Sequence, residues 1–107
     1  MIRVAFTEKG DRIVGFSSAG HSGYAPAGRD IVCAGVSALC CTCVNALESI
    51  AGVTPTVRSG DGFLAADLPL DCTSHDAQVL LRALRQGIGD IAAQYPDYVS
   101  CTCLIHK

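Results

Sequence analysis

A histidine and a cysteine with neighbours suited to nucleophilic chemistry lie in the first third of the chain. His21 follows Gly20 in a glycine-rich segment, and Cys33 ends the run Asp30-Ile31-Val32-Cys33. Asp30 is a favoured helix N-cap residue, which would make Cys33 the third residue of a helix. The first turn of a helix offers unpaired N–H groups and the positive end of the helix dipole. Both favour a thiolate over a thiol, so Cys33 is a candidate nucleophile.

The helix end alone does not supply enough energy to ionise such a cysteine. A free cysteine is only a few per cent thiolate at pH 7, and making the anion the major form takes about 3.4 kcal/mol. A helix terminus contributes ~0.3–1 kcal/mol, or ~2 kcal/mol when partly buried. A nearby cation must supply the rest, and an imidazolium does so in Cys–His pairs. We therefore predict that His21 folds back beside Cys33. The alternative, a cysteine that only fills an apolar helix, stays open because spacing alone is weak evidence.

Residues around this pair suggest supporting roles. Asp30 either caps the helix or orients His21 as a third triad member, and the two roles are compatible. Ser37 lies four residues after Cys33 on the same helix face, where it either lines the site or carries a solvated hydroxyl. The backbone N–H groups of Cys33 and its neighbours are predicted to hold an oxyanion.

The segment that carries His21 has the composition of a mobile loop. Gly20, Gly23 and Gly28 lie within it together with a proline, which predicts a lid able to close on an extended peptide. Tyr24 either packs on an aromatic side chain of the substrate or pins the loop.

Residue periodicity places these segments in an α+β fold. Alternating patterns predict an opening hairpin, a second hairpin and a closing strand, and helical spacing predicts a long first helix and a second helix. The predicted order is β-β-α-β-β-α-β, with two helices packed on a mostly antiparallel sheet in a single domain spanning residues 1–107. The predicted bounds are Ile2–Thr7, Ile13–Ser17, Asp30 to about Ala51 with Gly52 as the stop, Pro55–Arg58, Phe63–Asp67, a helix capped by Ser74 or Thr73 and ended by Pro96, and Tyr98–Ile105.

Charge and composition exclude several classes of partner. The net charge is −2 and the eight basic residues are scattered, which argues against direct nucleic-acid binding. The uncharged run Ile31–Leu47 is shorter than the ~20 residues of a membrane span, so a buried central helix and no membrane partner are predicted.

The seven cysteines are an odd number, and the chain opens without a signal-peptide pattern. We expect reduced thiols and a cytoplasmic protein. Two C-x-C pairs, Cys41/Cys43 and Cys101/Cys103, differ from the usual spacing of zinc knuckles. No metal and no cofactor are therefore predicted.

The His21 and Cys33 segments together resemble the signature of the ribosomal-processing cysteine proteases. The resemblance lies in Gly20-His21-Ser22-Gly23-Tyr24 and in the run from Gly28 to Ser37. It implies that His21 and Cys33 are the catalytic pair of a homodimeric cysteine endopeptidase. The implied reaction removes the short N-terminal extension of the twenty-seventh protein of the large ribosomal subunit, after a hydrophobic, Phe-containing leader. The glycine loop would then order over the substrate.

Two departures from that signature leave substrate identity more open than reaction type. Ser22 and Gly35 stand where alanine is commoner. Two other functions therefore stay open at this level. One is a non-enzymatic ribosome-associated module that binds a protein tail, and the other is a thiol redox or metal-binding protein that uses the remaining cysteines.

Overall fold

The predicted order of elements is confirmed by the computed structural model, which describes residues 1–26 and 28–106. The fold is α+β, with two helices and a five-stranded, mostly antiparallel sheet. Within the described residues the elements are β1 (Ile2–Lys9), β2 (Arg12–Ala19), α1 (Ile31–Ser49), β3 (Thr56–Gly60), β4 (Phe63–Asp67), α2 (His75–Gln94) and β5 (Val99–Ile105).

The strand order in the sheet is β3-β4-β2-β1-β5. Every pair of neighbours is antiparallel except β1 and β5, which run parallel. Phe6 lies opposite Phe16 in the opening hairpin, and the register shifts between Thr7 and Glu8. This order brings the β3–β4 hairpin beside the end of β2, from which the His21 segment departs.

A hydrophobic core fills the space between one face of the sheet and the two helices. The alternation predicted for β1 is observed, since Ile2, Val4 and Phe6 are almost fully buried. The helices contribute one stripe each to the same cluster, namely Val32, Val36, Cys40, Cys43 and Leu47 from α1 and Ala77, Leu81, Leu84 and Ile88 from α2. The core thereby fixes the N-terminus of α1 relative to β2.

A buried glutamine also ties α2 to the sheet. The Gln78 side chain accepts from the Ile13 N–H at 2.8 Å and donates to the Ile13 carbonyl at 2.9 Å. Both polar ends of the amide are satisfied inside the core, so its burial carries no unpaired polar group.

The prediction that α1 is a buried central helix is wrong. Only a third of its most apolar 18-residue window is buried, and that window has a mean hydropathy of 1.7. A two-layer fold covers a helix on one side, so the opposite side of α1 stays exposed, as at Ile31, which is 60% accessible. By length and composition alone α1 is long and apolar enough to cross a membrane, which is weak evidence because core helices of soluble proteins meet the same criterion.

Local capping explains where both helices begin. Asp30 has an extended backbone (φ −86°, ψ 98°) and its side chain accepts from the Cys33 N–H, while Ser74 accepts from the Ala77 N–H at 3.1 Å.

Helix α1 ends at Ser49, two residues before the predicted limit, and Gly52 follows with φ +66°. The Gly52 N–H donates to the Glu48 carbonyl at 3.2 Å, which closes the helix end in the left-handed conformation.

Candidate active site

Two cavities meet at the N-terminal end of α1. The larger, of about 660 Å³, lies between this helix end and the glycine loop, and the smaller, of about 300 Å³, extends toward the β3–β4 hairpin. His21, Cys33 and Ser37 line both cavities. The structure therefore brings the predicted nucleophile and its predicted partner into one site, and it places Ser37 in the wall of that site.

Cys33 is the third residue of α1, as the sequence predicts, and its side chain is half-buried. Its N–H donates to Asp30 Oδ1 at 2.9 Å, and the next N–H, that of Ala34, donates to the Asp30 carbonyl at 3.0 Å. Both amides are therefore already paired. The prediction that the Cys33 N–H holds an oxyanion is wrong for this conformation, because the N-cap carboxylate occupies that donor.

Asp30 acts as the helix cap. Its second oxygen, Oδ2, accepts from the Ser22 hydroxyl. The Ser22 hydroxyl and then the Cys33 amide hold the pKa of the Asp30 carboxyl below its usual value of 3.8, because both stabilise the anion. Of the two roles predicted for Asp30, the observed contacts are those of the cap.

A different carboxylate lies near the imidazole. Asp61 Oδ1 is 4.0 Å from His21 Nε2, with the two side chains 99% and 64% accessible. At that exposure and distance an ion pair contributes little. The contact therefore shows where the imidazole lies, and it adds little to the stability of that position.

The position of His21 is set by the end of β2 and the turn between β3 and β4. The Gly20 N–H donates to the Gly62 carbonyl at 2.8 Å. A Cβ on Gly62 would stand 2.7 Å from His21 Nε2, so the ring lies directly against this glycine. Gly20 has φ +100° and its Cα faces the Met1 carbonyl with no room for a side chain. The sequence predicts a hairpin turn at residues 59–62 but carries no signal that this turn neighbours His21.

The glycine loop is anchored by an aromatic cluster. The Tyr24 ring packs edge-on against Tyr95 and Tyr98, with centroid distances of 5.6 and 5.3 Å. This contact corresponds to the pinning role predicted for Tyr24. Gly23 and Gly28 have φ of +72° and +84°, a conformation that favours glycine. Their predicted contribution to loop mobility stays a prediction.

The remaining cysteines divide into buried and accessible thiols. Burial raises the pKa of the Cys40 thiol to about 12 and that of Cys43 to about 11. Cys41 is exposed and lines the smaller cavity, and Cys103 is exposed on β5. Across residues 1–26 and 28–106, no three His, Cys, Asp or Glu side chains are grouped closely enough to hold a metal ion.

Comparison with known proteins gives a consistent result. The family described as "Cysteine protease Prp" matches residues 1–100. The ribosomal processing cysteine protease Prp of Bacillus subtilis (strain 168) is 32% identical over 108 residues, which cover 95% of this chain and 96% of that protein.

Solved structures agree with this comparison. The crystal structure of SMU.848 from Streptococcus mutans has a TM-score of 0.87 and 31% identity, over 99% of this chain and 96% of that one. The structure of an essential ribosomal processing protease from S. aureus, in complex with a covalently linked product peptide, has a TM-score of 0.90 and 25% identity, over 96% of this chain and 99% of that one.

Proposed function

The chain belongs to the Prp family of cysteine proteases, and from that premise we propose that it removes the short N-terminal extension of the twenty-seventh protein of the large ribosomal subunit. Family membership decides among the three functions that the sequence left open, in favour of a peptidase of ribosomal processing. The relative from B. subtilis, which is named for ribosomal processing, aligns over nearly its whole length, and this supports the choice of a ribosomal substrate.

His21 and Cys33 are the proposed catalytic pair. The observation that carries this proposal is that both residues line both cavities at the helix N-terminus. The Cys33 thiolate attacks the scissile carbonyl carbon and forms a C–S bond, and His21 protonates the amine as the C–N bond breaks. Water then attacks the acyl-enzyme with His21 as base, which releases the acid and the thiolate. The S. aureus relative was solved with a covalently linked product peptide, which supports a covalent step in this family.

The two cavities suit a peptide that passes over Cys33. Apolar groups of Ala25, Ile31 and Ala34 contribute to the wall of the larger cavity. Burial of aromatic side chains against such a wall is favourable because it removes apolar area from water. This supports a hydrophobic leader that contains Phe. The glycine loop forms one side of that cavity, so its closure would shield the acyl-enzyme from bulk water.

The proposal extends to a homodimer in the cytoplasm, without direct contact to nucleic acid or membrane. Ile50, which follows the last residue of the first helix, is 67% accessible, and Leu104 and Ile105 on the edge strand β5 are 54% and 78% accessible. Leu104 and Ile105 are neighbours on an edge strand, and a second copy that packs along this edge would cover both, which supports the proposal.

A fluorogenic peptide with the leader sequence of the extended ribosomal protein tests the reaction. We expect Cys33→Ala and His21→Ala to lower kcat/KM by at least about 1,000-fold, because each removes a group that acts in every bond change. Cys103→Ala, which removes an exposed thiol from β5, serves as the matched control and should retain wild-type turnover. Turnover by Cys33→Ala equal to wild type would reject the pair. Mass spectrometry of the host's mature ribosomal protein tests the substrate, since an unchanged N-terminus on loss of this protease would reject it.

A further inference from the structure

Ser22 occupies an unusual environment for a serine in a glycine loop. Its side chain is only 4% accessible, although both neighbouring residues are exposed. Ser22 and Gln78 are the two polar residues that are buried among the described residues. Gln78 serves the packing of α2 on β2, far along the chain from the site. Ser22 instead lies next to His21 and is buried against the start of α1.

The Ser22 hydroxyl joins the loop to the helix cap. It donates to Asp30 Oδ2 and accepts from the Tyr24 N–H at 3.2 Å. Asp30 Oδ1 in turn accepts from the N–H of Cys33 at 2.9 Å. A continuous path of hydrogen bonds therefore runs from the residue after His21 to the backbone of Cys33. Hydrogen bonds to a carboxylate are stronger than neutral ones, so this path is stiff.

The other attachments of the loop do not fix the separation of His21 and Cys33. On the N-terminal side, Gly20 is bonded to Gly62 of the β3–β4 turn. On the other side, Tyr24 rests on tyrosines at the end of α2 and the start of β5. Neither attachment involves the first turn of α1. Ser22 thus supplies the side-chain hydrogen bond between the histidine segment and the cap of the helix that carries the cysteine, and the backbone groups of Tyr24 and Ala25 add weaker contacts to the same carboxylate.

We propose that Ser22 is a positioning residue for the protease reaction, whose hydroxyl holds the His21 backbone at a fixed separation from Cys33 by bonding the helix-capping carboxylate. The bond from Ser22 also determines which groups the Asp30 carboxylate can bond. With Oδ1 on the Cys33 amide and Oδ2 on Ser22, both carboxylate oxygens are engaged. Neither oxygen of Asp30 is then free to pair with the His21 imidazole.

The inference rests on the proposed catalytic pair, and a double-mutant cycle tests it. The variants are Ser22→Ala, Asp30→Ala and the double variant, and Ser100→Ala is the control because it removes a half-buried hydroxyl from β5, outside both cavities. Each is assayed for kcat and KM on the leader peptide. Each is also treated with iodoacetamide from pH 5 to 9, with alkylation of Cys33 followed by site-resolved mass spectrometry. Thermal unfolding at the assay pH establishes that each variant is folded at the assay temperature.

We expect Ser22→Ala to lower kcat about tenfold, the effect of losing one hydrogen bond to a charged group, with a much smaller change in KM. The alkylation profile of Cys33 should move to higher pH, because the imidazolium is no longer held beside the thiolate. Since Ser22 acts through Asp30, the same substitution should cost less than about twofold in the Asp30→Ala background. Ser100→Ala should match wild type in every assay.

Three results would overturn the role of Ser22. They are an additive cycle, an unchanged alkylation profile in Ser22→Ala, and an effect confined to KM. Alkylation needs no peptide, so a wild-type protein that fails to cleave the leader peptide would reject the proposed substrate while the alkylation profiles still decide the role of Ser22. An ordinary thiol profile in the wild type would reject the catalytic pair and the inference together.

Discussion

Substitution of Gly62 by alanine is expected to displace His21 without touching it chemically. The added Cβ would stand 2.7 Å from His21 Nε2 and 3.1 Å from Cε1, whereas ordinary contact begins at 3.4 Å. The ring must therefore retreat by about 0.7 Å. Misplacement of a catalytic group by ~1 Å can cost about 100-fold in rate. We expect kcat/KM to fall between about tenfold and 100-fold.

Gly10 supplies a matched control for the backbone strain that the same substitution introduces. Gly10 and Gly62 have φ of +63° and +64°, but a Cβ on Gly10 meets nothing within 4 Å. Each alanine should therefore lower the free energy of unfolding by a similar ~1–2 kcal/mol, the cost of a left-handed L-residue. Only Gly62→Ala should lose activity.

Two assays separate displacement of the imidazole from obstruction of the substrate. Urea unfolding gives the shared stability cost, and peptide turnover gives the loss specific to Gly62→Ala. Gly62 also lines the smaller cavity, so alkylation of Cys33 by iodoacetamide is measured as well, because this reagent is too small to be blocked there. Equal turnover by the two variants would refute the reasoning. Lost turnover with normal alkylation would show that the new methyl group obstructs the peptide instead.

Two further predictions concern titrating groups. The pKa of Asp30 is lowered, so its stabilising contribution is present above the unfolded value of 3.8 and is lost as the pH falls through the folded value. The stability difference between wild type and Asp30→Asn, measured by urea unfolding, should thus be larger at pH 6 than at pH 2.5, and a constant difference would contradict this. The pKa values of Cys40 and Cys43, about 12 and about 11, should slow their alkylation at pH 8.5 relative to exposed Cys103, by roughly 1,000-fold and roughly 100-fold respectively, until urea unfolds the chain. Because these folded values exceed the unfolded value of 9.0, stability should fall as the pH rises above 9, and similar alkylation rates in the native protein would contradict the burial argument.

The sequence was sufficient for features that depend on a few consecutive residues. Asp30 caps the first helix as predicted, because the capping oxygen and the N–H that it receives are only three residues apart. That single local contact places Cys33 in the first turn. The strand and helix order followed from periodicity for the same reason, since alternation and helical spacing are properties of short segments.

The sequence did not reveal burial that depends on distant partners. The helical spacing of α2 indicated an apolar core face but gave no reason to bury Gln78, whose two partners are backbone groups of Ile13 on β2. The apolar composition of α1 suggested a buried central helix, whereas the two-layer packing covers only one stripe. In both cases the outcome was set by which elements became neighbours.

From the sequence alone came the nature of the site: a cysteine at a helix start, a histidine in a glycine loop before it, and the family resemblance carried by these residues. Only the tertiary structure decided how the two are held. Strand order brought the Gly62 turn against His21, and packing of the loop on α1 buried Ser22 with its hydroxyl on Asp30. The physical reason is that hydrophobic alternation specifies which face of a strand is buried but not which strand lies beside it. The imidazole lies between the end of β2 and the β3–β4 turn, and these segments become neighbours only in the folded sheet.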